Sequence, residues 1–215
     1  MVEMIILNSH DEWLENRQRI GGSDAATALG LNPWKNNVTL WMEKTGMTVV
    51  EDISEKPYVK YGHEAEPMLR NLFALDFPEY QVDYMDNNMW LNDKYPWAHA
   101  SLDGWLTDQQ GRKGILEIKT TNIMRNSQRE KWKNRIPDNY YIQLLHYLMV
   151  TDFDFAILKA QLKSDYSGEI KAEILHYAVE RSSVEEDIKY LVRKEKEFWD
   201  HVQRRKQPAL ILPEI

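Results

Sequence analysis

The chain contains no cysteine. Disulfide frameworks, thiolate zinc sites, cysteine nucleophiles and cysteine-ligated iron–sulfur clusters are therefore excluded, and the absence fits a reducing cytosol. Long apolar runs are also missing: no stretch approaches the roughly 18 apolar residues of a membrane span. The apolar patch from Met4 to Leu7 follows an acidic Glu3 and has no basic segment before it, so no secretory signal is expected. Glycine and proline are sparse, at 9 and 8 residues, and no repeat, low-complexity tract or Pro/Gly/Ser linker divides the chain. The six histidines show no His-x-x-x-His spacing, and no histidine metal site is expected. A surplus of positive charge is lacking too. The formal net charge of −7 argues against indiscriminate nucleic-acid binding and leaves only a local basic groove open.

What is present is the composition of an ordinary globular protein. Of 215 residues, 43% are hydrophobic and 28% charged, and eight Trp with eleven Tyr exclude global disorder. The length suits one domain over residues 1–215 with a sizeable core. Ser9 and Glu12 read as a capping box before a short helix through Trp13, Leu14 and Arg17. Ile20-Gly21-Gly22-Ser23-Asp24 opens a second helix that Gly30 stops, and a third runs from about Val38 to Lys44. Residues 50–60 read as loop. A helix follows from Gly62 through Phe73, with Glu66 and Pro67 placed near its first turn, where proline is tolerated.

Residues 80–91 read as a hairpin around Asn87-Asn88. Two strands, Ala98–Leu106 and Gly114–Thr120, are joined by a turn at 108–111. Asp138–Val150 is a strongly apolar helix. Phe153–Leu162 and Glu169–Val179 read as strands around Ser167-Gly168, and Ser182-Ser183 open a long helix to Gln203. The result is a mixed α/β domain with a partly antiparallel sheet.

In a strand alternate residues share a face, so Glu117 and Lys119 point one way and Leu116 and Ile118 the other. If the preceding strand pairs with this one, Asp103 lies beside Glu117. Two carboxylates suit Mg²⁺, a hard cation that takes oxygen ligands, and a neighbouring lysine suits developing negative charge. Glu-x-Lys is also common on solvated strand faces. Glu66 reads equally as an ordinary helix-dipole partner. Gln143 shares a helix face with Tyr140 and Tyr147 and reads either as a backbone partner or as a phosphate or water contact. Gly21-Gly22-Ser23, with Arg17 and Arg19 upstream, reads as a turn with an N-cap or as a phosphate cradle. Arg125, Arg129, Lys131, Lys133 and Arg135 stand against one acid, Glu130, in a segment that either tracks a nucleic-acid backbone or is a solvated face. Trp34, Trp41, Trp105 and Trp132 are candidates for base stacking or for packing.

The ordered set is more specific than its members. Trp13 to Arg17, Ile20-Gly21-Gly22-Ser23-Asp24-Ala25-Ala26, Gly62-x-x-x-Glu66-Pro67, Ser101-Leu102-Asp103-Gly104, Leu116-Glu117-Ile118-Lys119 and Gln143-x-x-His146-Tyr147 resemble the lambda-exonuclease or YqaJ-like viral recombinase family. These are phage and prophage nucleases of the PD-(D/E)xK superfamily. The resemblance spans roughly residues 10 to 150. It implies an α/β fold with a restriction-endonuclease-like core, a mixed β-sheet flanked by helices. It further implies a Mg²⁺- or Mn²⁺-dependent 5′-to-3′ exonuclease on linear double-stranded DNA, leaving 3′ single strands for an annealing partner. Family members often form ring-shaped trimers, and they work in the bacterial cytosol.

Carried onto this chain, the resemblance makes Asp103, Glu117 and the backbone carbonyl of Ile118 metal ligands, with Glu66 a further acidic group at the metals. Lys119 is then the catalytic lysine and Gln143 lies near the nucleophile. Arg17 and Ser23 fall at positions that bind the 5′-phosphate. The stretch Arg17-Gln18-Arg19-Ile20 is one residue shorter than the family pattern, so Arg19 competes with Arg17. The alternatives are an endonuclease of the same superfamily and a catalytically silent protein that binds DNA ends or a partner.

Overall fold

The computed structural model describes residues 1–166 and 168–212, the side chain of Tyr166 excepted. Ser167, half of the expected Ser167-Gly168 turn, lies outside the described residues. In chain order the elements are β1 (Val2–Ile6), α1 (His10–Asn16), α2 (Gly22–Ala28), α3 (Asn37–Lys44), α4 (Pro57–Asp76), β2 (Gln81–Asp83), β3 (Asn88–Asn92) and β4 (Gly104–Thr107). Then follow β5 (Lys113–Asn122), α5 (Asn126–Glu130), α6 (Asp138–Thr151), β6 (Phe155–Tyr166), β7 (Glu169–Glu180) and α7 (Glu185–Gln203). Among the described residues the strands form a mixed sheet in the order β2-β4-β5-β6-β7 and a separate ribbon β1-β3. Only β5 and β6 run parallel; their connection is the α5–α6 crossover that a parallel pair requires. Helices flank the sheet, as expected.

The sheet separates two apolar clusters. On one face Ile115 packs with Leu144, Leu145 and Leu148 of α6 and with Leu191 and Phe198 of α7. On the other, Leu116 and Ile118 pack with Leu69 and Phe73 of α4. The alternation along β5 is thus the expected one, but both faces are covered, as is usual for a parallel pair. Glu117 accordingly lies under α6 with 1% of its surface exposed.

Several expectations are corrected. The 80–91 hairpin does not form: β2 pairs with β4 and β3 pairs with β1. Asn87 does turn the chain, at φ 53°, but the partner of β3 is the N-terminal strand Val2–Ile6, which takes in Met4, Ile5 and Ile6 of the apolar patch. The strand expected from Ala98 begins only at Gly104; before it, Ala98 and Ala100 make isolated bridges to Ile20 and Trp90. Helix α4 starts at Pro57, inside the supposed loop, so Glu66 and Pro67 stand in mid-helix. Pro67 there withholds the N–H that would have closed the turn back to His63. Neither Ser182 nor Ser183 caps α7; both lie in a 3₁₀ turn, Arg181–Ser183, that precedes Val184. At α1 the cap holds in modified form. Ser9 Oγ accepts from the Glu12 amide at 3.1 Å, while the Glu12 carboxylate takes the Asn8 amide at 2.7 Å.

Candidate active site

Asp103 is the last residue before β4, whose first residue, Gly104, pairs with Leu116. This register brings Asp103 to the middle of β5, where its Oδ2 accepts from the Ile118 amide at 2.8 Å. Glu117 Oε1 lies 2.5 Å from Lys119 Nζ and accepts from Gln143 Nε2 at 2.8 Å. The second donor hydrogen of Gln143 serves the hydroxyl of Tyr147, also at 2.8 Å. Gln143 and Tyr147 are one helical turn apart on α6, so one face of that helix roofs the β5 carboxylate. Glu66 approaches from α4, with Oε1 accepting from Arg70 Nη2 at 2.8 Å.

The electrostatics are those of crowded acids. Burial first, and then the charge of Asp103, push the Glu117 carboxyl up to about 8. The same two causes push Glu66 up to about 7 against the opposing pull of Arg70. Burial disfavours the Lys119 ammonium, but Glu117 and Asp103 outweigh it and hold the amine above its usual range. With Glu66, Asp103 and Glu117 against Lys119 and Arg70, the fully ionised group carries one surplus negative charge. A proton relieves that surplus near neutral pH, and a bound cation would relieve it equally. Glu117 Oε2 is buried with no hydrogen-bond partner, an orphaned acceptor of the kind a hard cation satisfies. The donor set therefore fits a Mg²⁺-type ion. Among the described residues, no group of three or more His, Asp or Glu side chains stands ready-made around one ion, because Lys119 and Arg70 occupy the carboxylate oxygens.

The N-terminus of α2 packs against the roof of this cluster. A Cβ on Gly22 would lie 2.4 Å from the Tyr147 ring, and one on Gly21 3.0 Å from the His99 ring. The Gly21-Gly22 pair thus allows a close approach that leaves Ser23 exposed at the helix start. Asp24 holds this turn together: it receives the Gly21 amide at 3.2 Å and pairs with Lys44 Nζ at 2.7 Å. Burial opposes its charge, but Lys44 and Arg17 keep its carboxyl below the usual value. Lys44 also donates to the carbonyls of Arg17 and Arg19, tying the arginine loop to α3.

The two arginines diverge. Arg17 lies over the Trp13 ring, 4.5 Å from its centroid, and Trp13 in turn donates to Ser101 Oγ just before Asp103. Arg19 instead donates to the Pro96 carbonyl and lines a separate crevice of about 590 Å³ with Glu15, Lys44 and Arg205.

The basic segment after β5 is only partly free. Arg129 is paired with Glu173 and Ser164, and Lys133 and Arg135 lie 3.8 Å from Glu130 and Asp138. Of the four tryptophans, Trp41 and Trp132 are buried and Trp105 half-buried, which leaves Trp34 exposed.

Three participants escaped the sequence reading. Arg70, buried beside Glu66 with its guanidinium 3.4 Å from the Tyr84 ring centroid, was legible as the i+4 partner of Glu66. Tyr84 carries no local signal. His99 is held neutral, its imidazole pushed down to about 3 by burial and by the neighbouring His146.

Comparison with known proteins points one way. The model of the YqaJ-like viral recombinase domain matches residues 12–154. The chain is 33% identical over 208 residues to the uncharacterized protein YqaJ of Bacillus subtilis (strain 168), covering 94% of this chain and 59% of that protein. It thus spans only about three-fifths of that relative's length. Its fold is similar to an alkaline exonuclease, LHK-Exo, from Laribacter hongkongensis, with a TM-score of 0.60 at 16% identity, covering 91% and 96% of the two chains. In that exonuclease's complex with dAMP the TM-score is 0.62. A phage-related exonuclease from Haemophilus somnus 129PT matches at 0.51 and 15% identity over 87% of this chain and 96% of that one.

Proposed function

Because the chain belongs to the YqaJ-like viral recombinase domain family, we propose that it is a metal-dependent 5′-to-3′ exonuclease acting on linear double-stranded DNA. The observation that carries this reading is the crowded carboxylate set around Glu117: Glu66 from α4, Asp103 before β4 and Glu117 with its orphaned oxygen beside Lys119 on β5. Asp103, Glu117 and the Ile118 carbonyl would hold Mg²⁺ or Mn²⁺, with Glu66 as a further oxygen donor. When bound, such an ion polarises a phosphoryl oxygen and makes hydroxide accessible from its water.

The chain's own residues do the rest. Lys119, charged and half-buried near the Tyr140 ring of α6, stabilises the negative charge that develops on the phosphate. Gln143, its amide nitrogen held between Glu117 and Tyr147, would orient the attacking water through its side-chain carbonyl oxygen. Arg70 aims Glu66 and favours its ionised form against burial and Asp103. Arg17, with Ser23 at the α2 start, receives the 5′-phosphate of the strand being cut; Arg19, turned towards Pro96, is the weaker claimant. The product is a 3′ single strand suited to a strand-annealing partner, and the setting is the cytosol of a bacterium carrying the gene on a phage or prophage. A homo-oligomer, by family resemblance a trimer, suits processive action.

The test is a time course on linear duplex DNA bearing a 5′-phosphate beside the closed circular form, with Mg²⁺ or with chelator. Loss of the linear form alone, and only with metal, is the expected result. Cutting of the circle moves the activity to an endonuclease. No loss of either form with Mg²⁺ or Mn²⁺ leaves a silent DNA-end-binding protein.

A further inference from the structure

Beyond the cleavage cluster, β5 continues for three residues, about 10 Å at 3.3 Å per residue, from Lys119 to Asn122. There it forms one wall of a groove of about 650 Å³. Asn122, Met124, Arg125 and Asn126 line one side, and Lys163 and Ile170 the other. Its chemistry is unusual for a resting surface. Met124 is 84% exposed and Ile170 70% exposed, so two large apolar side chains face water across the groove. The guanidinium of Arg125 has no partner among the described residues, whereas its neighbour Arg129 is consumed by Glu173 and Ser164. Lys163 is half-buried and forms no ion pair among the described residues; its ammonium sits 2.9 Å from the centroid of the Tyr61 ring. Tyr61 is itself fixed by donating to Gln161 at 2.7 Å. One carboxylate, Asp165, shares the groove and accepts the Gly168 amide. The groove therefore offers two cations without an ion pair among the described residues beside one carboxylate, together with side-chain amides and exposed apolar surface. That combination suits a chain with phosphates on one edge and unpaired bases on the other. A duplex hides its bases and would leave Met124 and Ile170 without a partner.

We propose that this groove holds unpaired nucleotides of a DNA strand running out of the cleavage centre, a reading that rests on the nuclease function proposed above. Arg125 and Lys163 take the phosphates, and Met124 and Ile170 pack on base faces.

The test is binding rather than cleavage. Anisotropy of a short labelled oligothymidylate is measured with the full chain in chelator, between about 50 and 300 mM salt, for wild type, the double variant Arg125→Ala/Lys163→Met and the single variant Met124→Glu. Each phosphate contact contributes about 0.7 to the salt slope for a single strand, so losing two lowers it by about 1.4. If the affinities converge near 1 M salt, this corresponds to about 25-fold weaker binding at about 0.1 M. Met124→Glu, at a position 84% exposed, weakens binding in the same direction with little risk of misfolding. A blunt duplex hairpin is expected to lose less in all variants.

Unchanged slope and affinity, or equal losses on duplex and single strand, overturn the inference. The two proposals separate cleanly. A protein that cuts linear duplex but whose single-strand binding ignores these residues keeps the nuclease and loses the groove. One that loses single-strand binding in the variants yet never cleaves keeps the groove and loses the nuclease.

Discussion

Replacing Glu117 by Gln should make the metal-free protein more stable at high pH, not less. In the folded chain the Glu117 carboxyl rises from 4.5 to about 8, through burial first and Asp103 second. A carboxyl raised on folding supports the fold while protonated. Its contribution is fully present below about pH 4.5 and is lost as pH climbs through about 8. At about 1.4 kcal/mol per pH unit, the ceiling on that loss is about 5 kcal/mol. The attraction of Lys119 for the ionised form is already contained in that value; relaxation and water penetration around a buried ion lower the ceiling, and roughly half, about 2–3 kcal/mol, is the working figure.

Gln is isosteric. Its carbonyl oxygen can keep Gln143 and Lys119, and its amide replaces the orphaned Oε2 with a donor among carboxylates. For a chain of this size 1 kcal/mol moves Tm by about 2–4 °C. Glu117→Gln should therefore melt about 4–12 °C above wild type at about pH 9 in chelator and match it below about pH 5. Thermal denaturation from acid to alkaline pH, with chelator and with Mg²⁺, gives the answer. Added Mg²⁺ should close the gap by stabilising only wild type, more strongly as pH rises, because binding must displace the proton. Parallel wild-type and variant curves across pH would refute the account of a frustrated carboxylate.

Lys119→Ala should lower cleavage by at least about 10²-fold, the scale of losing one charge stabiliser, while circular dichroism shows the fold retained. Wild-type rates would remove Lys119 from the chemistry. Arg17→Ala should erase any preference for 5′-phosphorylated over 5′-hydroxyl ends and Arg19→Ala should leave it; competition kinetics with the two end types decide between them. Gly22→Ala drives a methyl to 2.4 Å from the Tyr147 ring. Overpacking of that kind costs about 1–3 kcal/mol. In a Tyr147→Leu background the same substitution should cost measurably less in chemical denaturation, and equal costs would show that the contact is not tight.

The neighbours of Glu117 were more legible in the sequence than the fold's edges, and the reason is the range over which each is encoded. Glu117, Lys119, Leu116 and Ile118 alternate by local strand geometry, and Gln143 and Tyr147 share a helix face by local helix geometry. Both relations survive any tertiary arrangement. The pairing of β3 with β1 does not: Asn87 turns the chain whichever strand comes next, and nothing near it points to Val2–Ile6 about 85 residues away. Pro67 misled for a related reason. A proline is a reliable mark of a helix start only where tertiary packing does not override it, and here Leu69 and Phe73 bury α4 against Leu116 and Ile118 whatever the lost hydrogen bond costs. Arg70 was within reach of the i+4 rule, whereas Tyr84, brought in from the loop after β2, was not.

Helix α6 shows how one apolar run can serve two purposes. Its buried face is too wide for a simple amphipathic helix, and four of its buried residues are polar: Gln143, His146, Tyr147 and Thr151. Gln143 and Tyr147 turn to the carboxylates. His146 turns the other way: Nδ1 meets Glu195 of α7 at 2.6 Å, and Nε2 meets the His99 carbonyl at 2.8 Å. Trp97 completes the Glu195 partners at 3.3 Å. Burial disfavours the imidazolium, but Glu195 outweighs it and raises the His146 value. A buried pair of this kind adds little net stability against an apolar replacement, yet it penalises any slip of α6 along α7, because slippage would strand both charges. A slip of one residue would carry Gln143 off Glu117 and Tyr147 off Gly22 together. The pair therefore fixes the register of a helix whose other face meets the Glu117 carboxylate at 2.8 Å.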